Sequence, residues 1–161
     1  MWSRTPKVNA KKIKSAPKSL HRSNQKVLFC LVTAAVLLSI FLVRDFRKET
    51  IQFGSRALQV EVVNTDELRT KGLSGRESLQ ANQAMWFEFN NPDVHCFWMK
   101  DMNFPIDIVW LNDQRKVVHI KENAQPSSYP ESFCPNTTAK YVLEVQSGLV
   151  RQENITIGSQ L

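Results

Sequence analysis

Lys100 and Asp107 are the polar residues whose setting first suggests chemistry. Lys100 directly follows the apolar run 95–99, and Asp107 interrupts the apolar run 106–111. If the connection through Pro105 brings the two runs together, an ammonium and a carboxylate meet in a dry pocket. Burial and mutual attraction would shift both pKa values there. Glu144, inside another apolar run, is a second carboxylate that such a site could use as a base. The competing reading is structural: an ion pair fixing strand ends, or two solvated side chains, since Asp107 alternates with Ile106 and Ile108.

No complete catalytic or metal motif accompanies these residues. His95, His119, Cys96 and Cys134 are metal-ligand types, but they stand in no CxxC, HxH or HExxH spacing, so neither a metal nor a cofactor is expected. The run Gly72-Leu73-Ser74-Gly75 lacks the strand, Gly-x-Ser-x-Gly and helix context of a nucleophile elbow, and no glycine-rich phosphate loop occurs. Trp86, Trp98, Trp110, Phe87, Phe97 and Met99 supply either a hydrophobic core or the wall of a ligand groove. The expected ligand-binding set is Trp98, Lys100 and Asp107.

The elements that must position these groups are short. Leu58, Val60 and Val62 alternate with polar residues, which is a half-buried strand. Asn64 as cap, Glu67 three residues on, a Val63–Leu68 staple and Gly72 at the far end predict a short helix. Further β-type runs lie at 84–89, 95–99, 106–111, 116–122, 140–145 and 155–157, with a hairpin loop at 112–115. Together they predict a mainly β domain over 53–161, a small antiparallel sandwich or barrel with one short helix.

The stretch 123–139 is the longest without regular pattern, and it carries Cys134. With Cys96 it can form a bridge in an oxidising compartment, worth roughly 3 to 4 kcal/mol for the loop closed. Two free buried thiols are the alternative.

The first 26 residues hold eight bases and no acid. All fifteen Asp and Glu follow Val43, against thirteen bases, so the basic balance belongs to the tail. A folded nucleic-acid-binding face is therefore not expected. Residues 27–43 are free of charge, Gly and Pro, and as a helix they span roughly 25 Å. Thr33 and Ser39 alone interrupt the apolar surface, which a core helix would not show. No small-x-small site follows, so the segment reads as an uncleaved anchor rather than a signal peptide. The positive-inside rule places the 1–26 tail in the cytoplasm. A linker at 44–52 then leads to a domain on the outer side of the plasma membrane.

Five segments in order, Gly72-Leu73-Ser74-Gly75-Arg76, Ala84-Met85-Trp86-Phe87, Phe97-Trp98-Met99-Lys100, Pro105-Ile106-Asp107-Ile108 and Tyr141-Val142-Leu143-Glu144, resemble the family called domain of unknown function 192 (DUF192). The resemblance covers roughly 58–157. It implies a small β-sandwich-like domain, secreted or membrane-anchored, and carries no established activity. Ser74 stands where the family commonly has Met, Ala84 where it has Gly, and Asp101-Met102 where it has Asn-Thr. The expected function is a binding or accessory module for a small envelope ligand or an envelope protein. The alternative is an envelope hydrolase using Lys100 with Asp107 or Glu144.

Overall fold

The computed structural model describes residues 47–161; residues 1–46, including the apolar stretch 27–43 read as an anchor, lie outside them. Among the described residues no helix is long and apolar enough to cross a membrane. The elements are β1 (Arg47–Phe53), β2 (Arg56–Val63), α1 (Asp66–Lys71), β3 (Gln83–Asp93), β4 (Phe97–Trp98), β5 (Ile106–Leu111), β6 (Val117–Ala124), a 3-10 turn (Pro126–Ser128), β7 (Ser132–Phe133), β8 (Ala139–Gln146) and α2 (Leu149–Gln152).

The domain is mainly β, but it is an open sheet rather than a sandwich or barrel. Six strands run in the order β1-β2-β3-β8-β5-β6, and β4 pairs with β7 separately. All neighbours are antiparallel except β2 and β3, which are parallel. A parallel pair needs a crossover, and residues 64–82 provide it. That crossover covers one face of the sheet with Leu73 and Leu79, joined there by Met99 and Phe133, against Met85, Phe87, Ile108, Trp110 and Val142. On the other face Leu149, Val150 and Ile155 pack against Val60, Trp86, Val109, Leu143 and Val145. Short connections thus do the work that a second sheet does in a sandwich.

Several local expectations are corrected. The cap of α1 is Thr65, whose hydroxyl accepts from Leu68 N at 3.3 Å, not Asn64. Acids in the first turn and bases in the last complement the helix dipole. Gly72 ends the helix with φ +47°, and a Cβ there would lie 3.4 Å from Phe87 Cζ. β1 occupies most of the 44–52 stretch read as a linker; its Arg47, Lys48 and Glu49 suit the exposed edge strand that it forms. Residues 155–157 make no strand, because α2 turns the chain under the sheet and buries Ile155. The hairpin at 112–115 is present, with Asn112 Oδ1 accepting from the backbone of Gln114 and Lys116 at 3.1 and 2.9 Å.

Cys96 and Cys134 are joined by a disulfide, which ties the segment before β4 to that after β7. The bridge pins the irregular 123–139 stretch.

All six residues of β5 are buried, Asp107 included. Asp107 projects to the α2 face, where Oδ2 accepts from Val150 N at 3.0 Å and Oδ1 from Asn123 N at 2.8 Å. It therefore supplies the acceptor that docks both α2 and the end of β6. Asp107→Ala leaves two backbone donors without a partner and should cost about 3 kcal/mol, measured by urea denaturation. An effect below about 0.5 kcal/mol would show that these bonds do not hold the C-terminal segment.

Candidate functional site

Glu144 sits at the centre of the sheet face opposite α2. Pairing aligns Glu61 with Met85, Met85 with Glu144, Glu144 with Ile108 and Ile108 with Lys121, so one row of side chains crosses β2, β3, β8, β5 and β6. At the ends of such a row a charge reaches water; at its centre it cannot. Glu144 is 5% exposed, and its Oε2 is buried with no hydrogen-bond partner.

Above Glu144 lies a cleft of about 330 Å³ between the end of α1 and the segment leading into β4. Its walls are Leu73, Phe87, Phe89, Phe97, Trp98 and Met102, with Arg69 and Lys71 at its α1 side and Glu144 among its lining residues. Trp98 is 50% exposed and meets Tyr129 edge-on at 6.3 Å between ring centroids. The imidazole of His95 stacks on Phe89 at 3.5 Å between centroids, and the Arg69 guanidinium lies 5.0 Å from the centroid of the same Phe89 ring. Trp110 is buried, and its Nε1 donates to His95 O at 2.8 Å, fixing the segment that carries Trp98. A second recess adjoins it, sharing Lys71, Ser74 and Trp98, and is lined by Lys100 and Asp101.

Burial pushes the Glu144 carboxyl up from the usual 4.5 to about 8, with the nearby Arg76 cation working weakly against it. Arg76 is held elsewhere: its guanidinium donates to both oxygens of Glu61 at 2.6 and 3.0 Å, which holds Glu61 below the usual carboxylate range. Burial likewise lowers His95. At neutral pH the cleft therefore presents two cations, a neutral imidazole and a neutral carboxylic acid.

The sequence-predicted set is divided by the sheet. Trp98 and Lys100 stand on the cleft side, whereas Asp107 projects to the opposite face with both oxygens engaged. Lys100 and Asp107 form no ion pair among the described residues. The alternation of Ile106, Asp107 and Ile108 suggested an outward-facing acid, but with both faces covered either orientation is buried. Glu144 gave the same signal as Asp107, one acid within an apolar run. Arg69, Phe89 and His95 carried no such mark. No group of side chains suited to a metal ion occurs among the described residues.

The open mixed sheet with covered faces is a fold that known proteins share. The DUF192 family, described as an uncharacterized ACR, matches residues 49–161, and the chain belongs to it. Among solved structures, a protein of unknown function from Novosphingobium aromaticivorans DSM 12444 is similar at 27% identity and a TM-score of 0.68, over 74% of this chain and 87% of that one. A chain from Sinorhizobium meliloti 1021, described as a candidate transcription regulator, is similar at 26% identity and a TM-score of 0.66, over 72% of this chain and 93% of that one. No curated protein matches the sequence.

Because Glu144 keeps its proton in the fold and loses it on unfolding, the folded state binds more protons between the two pKa values. Stability contributed by the group is present below about pH 4.5 and is lost as pH rises toward 8. Glu144→Gln should remove this decline, leaving the variant a few kcal/mol more stable than the parent at pH 8. Denaturant titrations of both proteins at pH 5 and pH 8 measure it; parallel pH profiles would show that Glu144 titrates normally.

Proposed function

We propose that the chain is a single-pass membrane-anchored binding module whose β domain, outside the cytoplasm, holds a small envelope ligand in the cleft above Glu144. One observation carries the binding reading: a carboxyl oxygen buried beneath an aromatic-walled cleft with no partner of its own. A buried polar atom left unpaired costs free energy, and a ligand entering the cleft can supply the missing bond. The exposed Trp98 offers that ligand an apolar surface at the mouth.

The Lys100–Asp107 form of the hydrolase alternative lacks support, whereas Lys100 and Glu144 both stand on the cleft side. Lys100 and Asp107 occupy opposite sides of the sheet, and the Asp107 oxygens are engaged by backbone donors. Catalysis by two groups requires that they converge on one substrate.

Topology rests on residues 1–43: the basic tail, the uncharged helix-length run and the lack of a cleavage site. The bilayer is then a partner through residues 27–43. The Cys96–Cys134 bridge supports an oxidising compartment.

Two measurements test this reading. A small-molecule extract of the cell envelope should raise the melting temperature of the full-length protein, and Trp98→Ala, which removes a half-exposed ring, should weaken binding at least tenfold, about 1.4 kcal/mol, while leaving the fold intact. Equal binding by the variant would remove Trp98 from the site. Protease added to cells with opened outer layers should digest the domain and spare an epitope near Met1, with the full-length chain staying in the membrane after a carbonate wash. A mature chain starting beyond residue 43 would contradict the anchor.

A further inference from the structure

Resting on the reading of the cleft as a ligand site, we infer that its ligand is a small organic anion: a carboxylate on a flat apolar body, with one carboxylate oxygen accepting a hydrogen bond from Glu144 and the body lying against Phe89, Phe97 and Trp98. Three independent features of the cleft select this class.

The first is the state of Glu144. With Oε2 buried and no donor reaching it, an ionised carboxylate at this position would have only the weak attraction of Arg76 against its burial, so the acid form is favoured and the group is a hydrogen-bond donor. The shift of its pKa to about 8 agrees with that geometry. An acid O–H facing a carboxylate makes a short charge-assisted bond.

The second is the sign of the lining. Arg69, ion-paired with Asp66, and Lys71 are the charged side chains of the cleft beside Glu144, and Lys100 lines the adjoining recess with Trp98 and Asp101. Lys71 and Lys100 take part in no ion pair among the described residues. A cationic ligand would meet net positive potential, and an anion is drawn in.

The third is the scarcity of unengaged polar groups. Ser74 Oγ donates to Lys100 O at 2.8 Å, Thr70 Oγ1 to Asp66 O at 2.8 Å, and Arg69 to Glu88 O at 2.7 Å and Asp66 Oδ1 at 2.6 Å. His95 Nε2 lies 3.4 Å from Asn91 O. A hydroxyl-rich ligand would leave most of its hydroxyls unpaired in this cleft, whereas an apolar ring with one anionic end would not. The volume of about 330 Å³ fits a body of one or two rings.

The charged and titratable groups facing Glu144 are Arg69 and Lys71 of α1, Arg76 beyond α1 with its partner Glu61 on β2, and His95 before β4. Glu61 holds Arg76 above its ordinary value, and His95 and Glu61 titrate below theirs, so Glu144 is the group whose titration a change in binding between pH 6.5 and 9 reports.

Calorimetric titration of the full-length chain with three probes of matched ring, 2-naphthoate, 2-naphthalenemethanol and 2-naphthylmethylammonium, tests the inference. At pH 6.5 the naphthoate should bind at least tenfold more tightly than the other two. Its affinity should fall about tenfold by pH 9, as Glu144 ionises and repels it. Glu144→Gln, whose amide still donates, should bind the naphthoate equally at both pH values, and Trp98→Ala should abolish binding. If the alcohol or the ammonium binds as well as the anion and Trp98→Ala still abolishes binding, the anion inference is overturned while the cleft remains a ligand site. If none of the three binds, or if binding is indifferent to both substitutions, the cleft reading fails and the inference with it.

Discussion

A sheet of six strands whose central members are covered on both faces has no place to leave a charge at its centre. β8 lies at that centre with β5 beside it, and each carries one acid: Asp107 on β5 and Glu144 on β8. Burial imposes the same demand on both, and the chain meets it in opposite ways. Asp107 faces α2, where two backbone donors close on its oxygens and make the carboxylate part of the frame. Glu144 faces the crossover side, where the chain leaves a cleft instead of a donor. One acid is a completed structural joint, and the other keeps a buried oxygen with no hydrogen-bond partner in the protein. That difference, more than the identity of any residue, distinguishes the face proposed to hold a ligand from the structural one.

Much of the fold was legible because local physics fixes it. Val60 and Val62, alternating with polar residues, marked β2, and residues 106–111 marked β5 with the boundaries that the structure has. The cap and Gly72 placed α1 to within one residue. The layer arrangement was not legible, since a two-faced buried sheet and a sandwich both produce short apolar runs. What decides between them is the parallel β2–β3 pairing and its crossover, which are long-range choices with no local mark. β1 escaped notice because an edge strand bearing Arg47, Lys48 and Glu49 has the composition of a linker.

The site was half legible. Trp98 was named for its place in an aromatic run and does stand exposed at the cleft mouth. Asp107 was named because an acid in an apolar run is unusual, and that reasoning left open whether it lay in a dry pocket or in water and could not tell which face it occupies or which donors await it. Register supplies that information: Asp107 opposes Val145, whereas Ile108 opposes Glu144, so the two acids point to opposite sides of the sheet. A one-residue step along β5 separates a structural acid from a place in the site. Position of the wall depends on contacts far apart in sequence, the Trp110 bond to His95 O and the Cys96–Cys134 bridge, which together hold the segment carrying Trp98 over Glu144. Membership of DUF192 agrees with the resemblance in the motifs and assigns no chemistry to them.

The account turns on Glu144 being a neutral acid at neutral pH. Carbon-13 NMR of glutamate side-chain carboxyls, with Glu144 assigned by its loss in Glu144→Gln, follows that group through a pH titration directly. A carboxyl signal that stays in the protonated range at pH 7 and moves with a midpoint near 8 is the predicted result. A midpoint between 4 and 5 would contradict it, because Glu144 would then be an ionised, hydrated side chain and the cleft would have no donor at its floor.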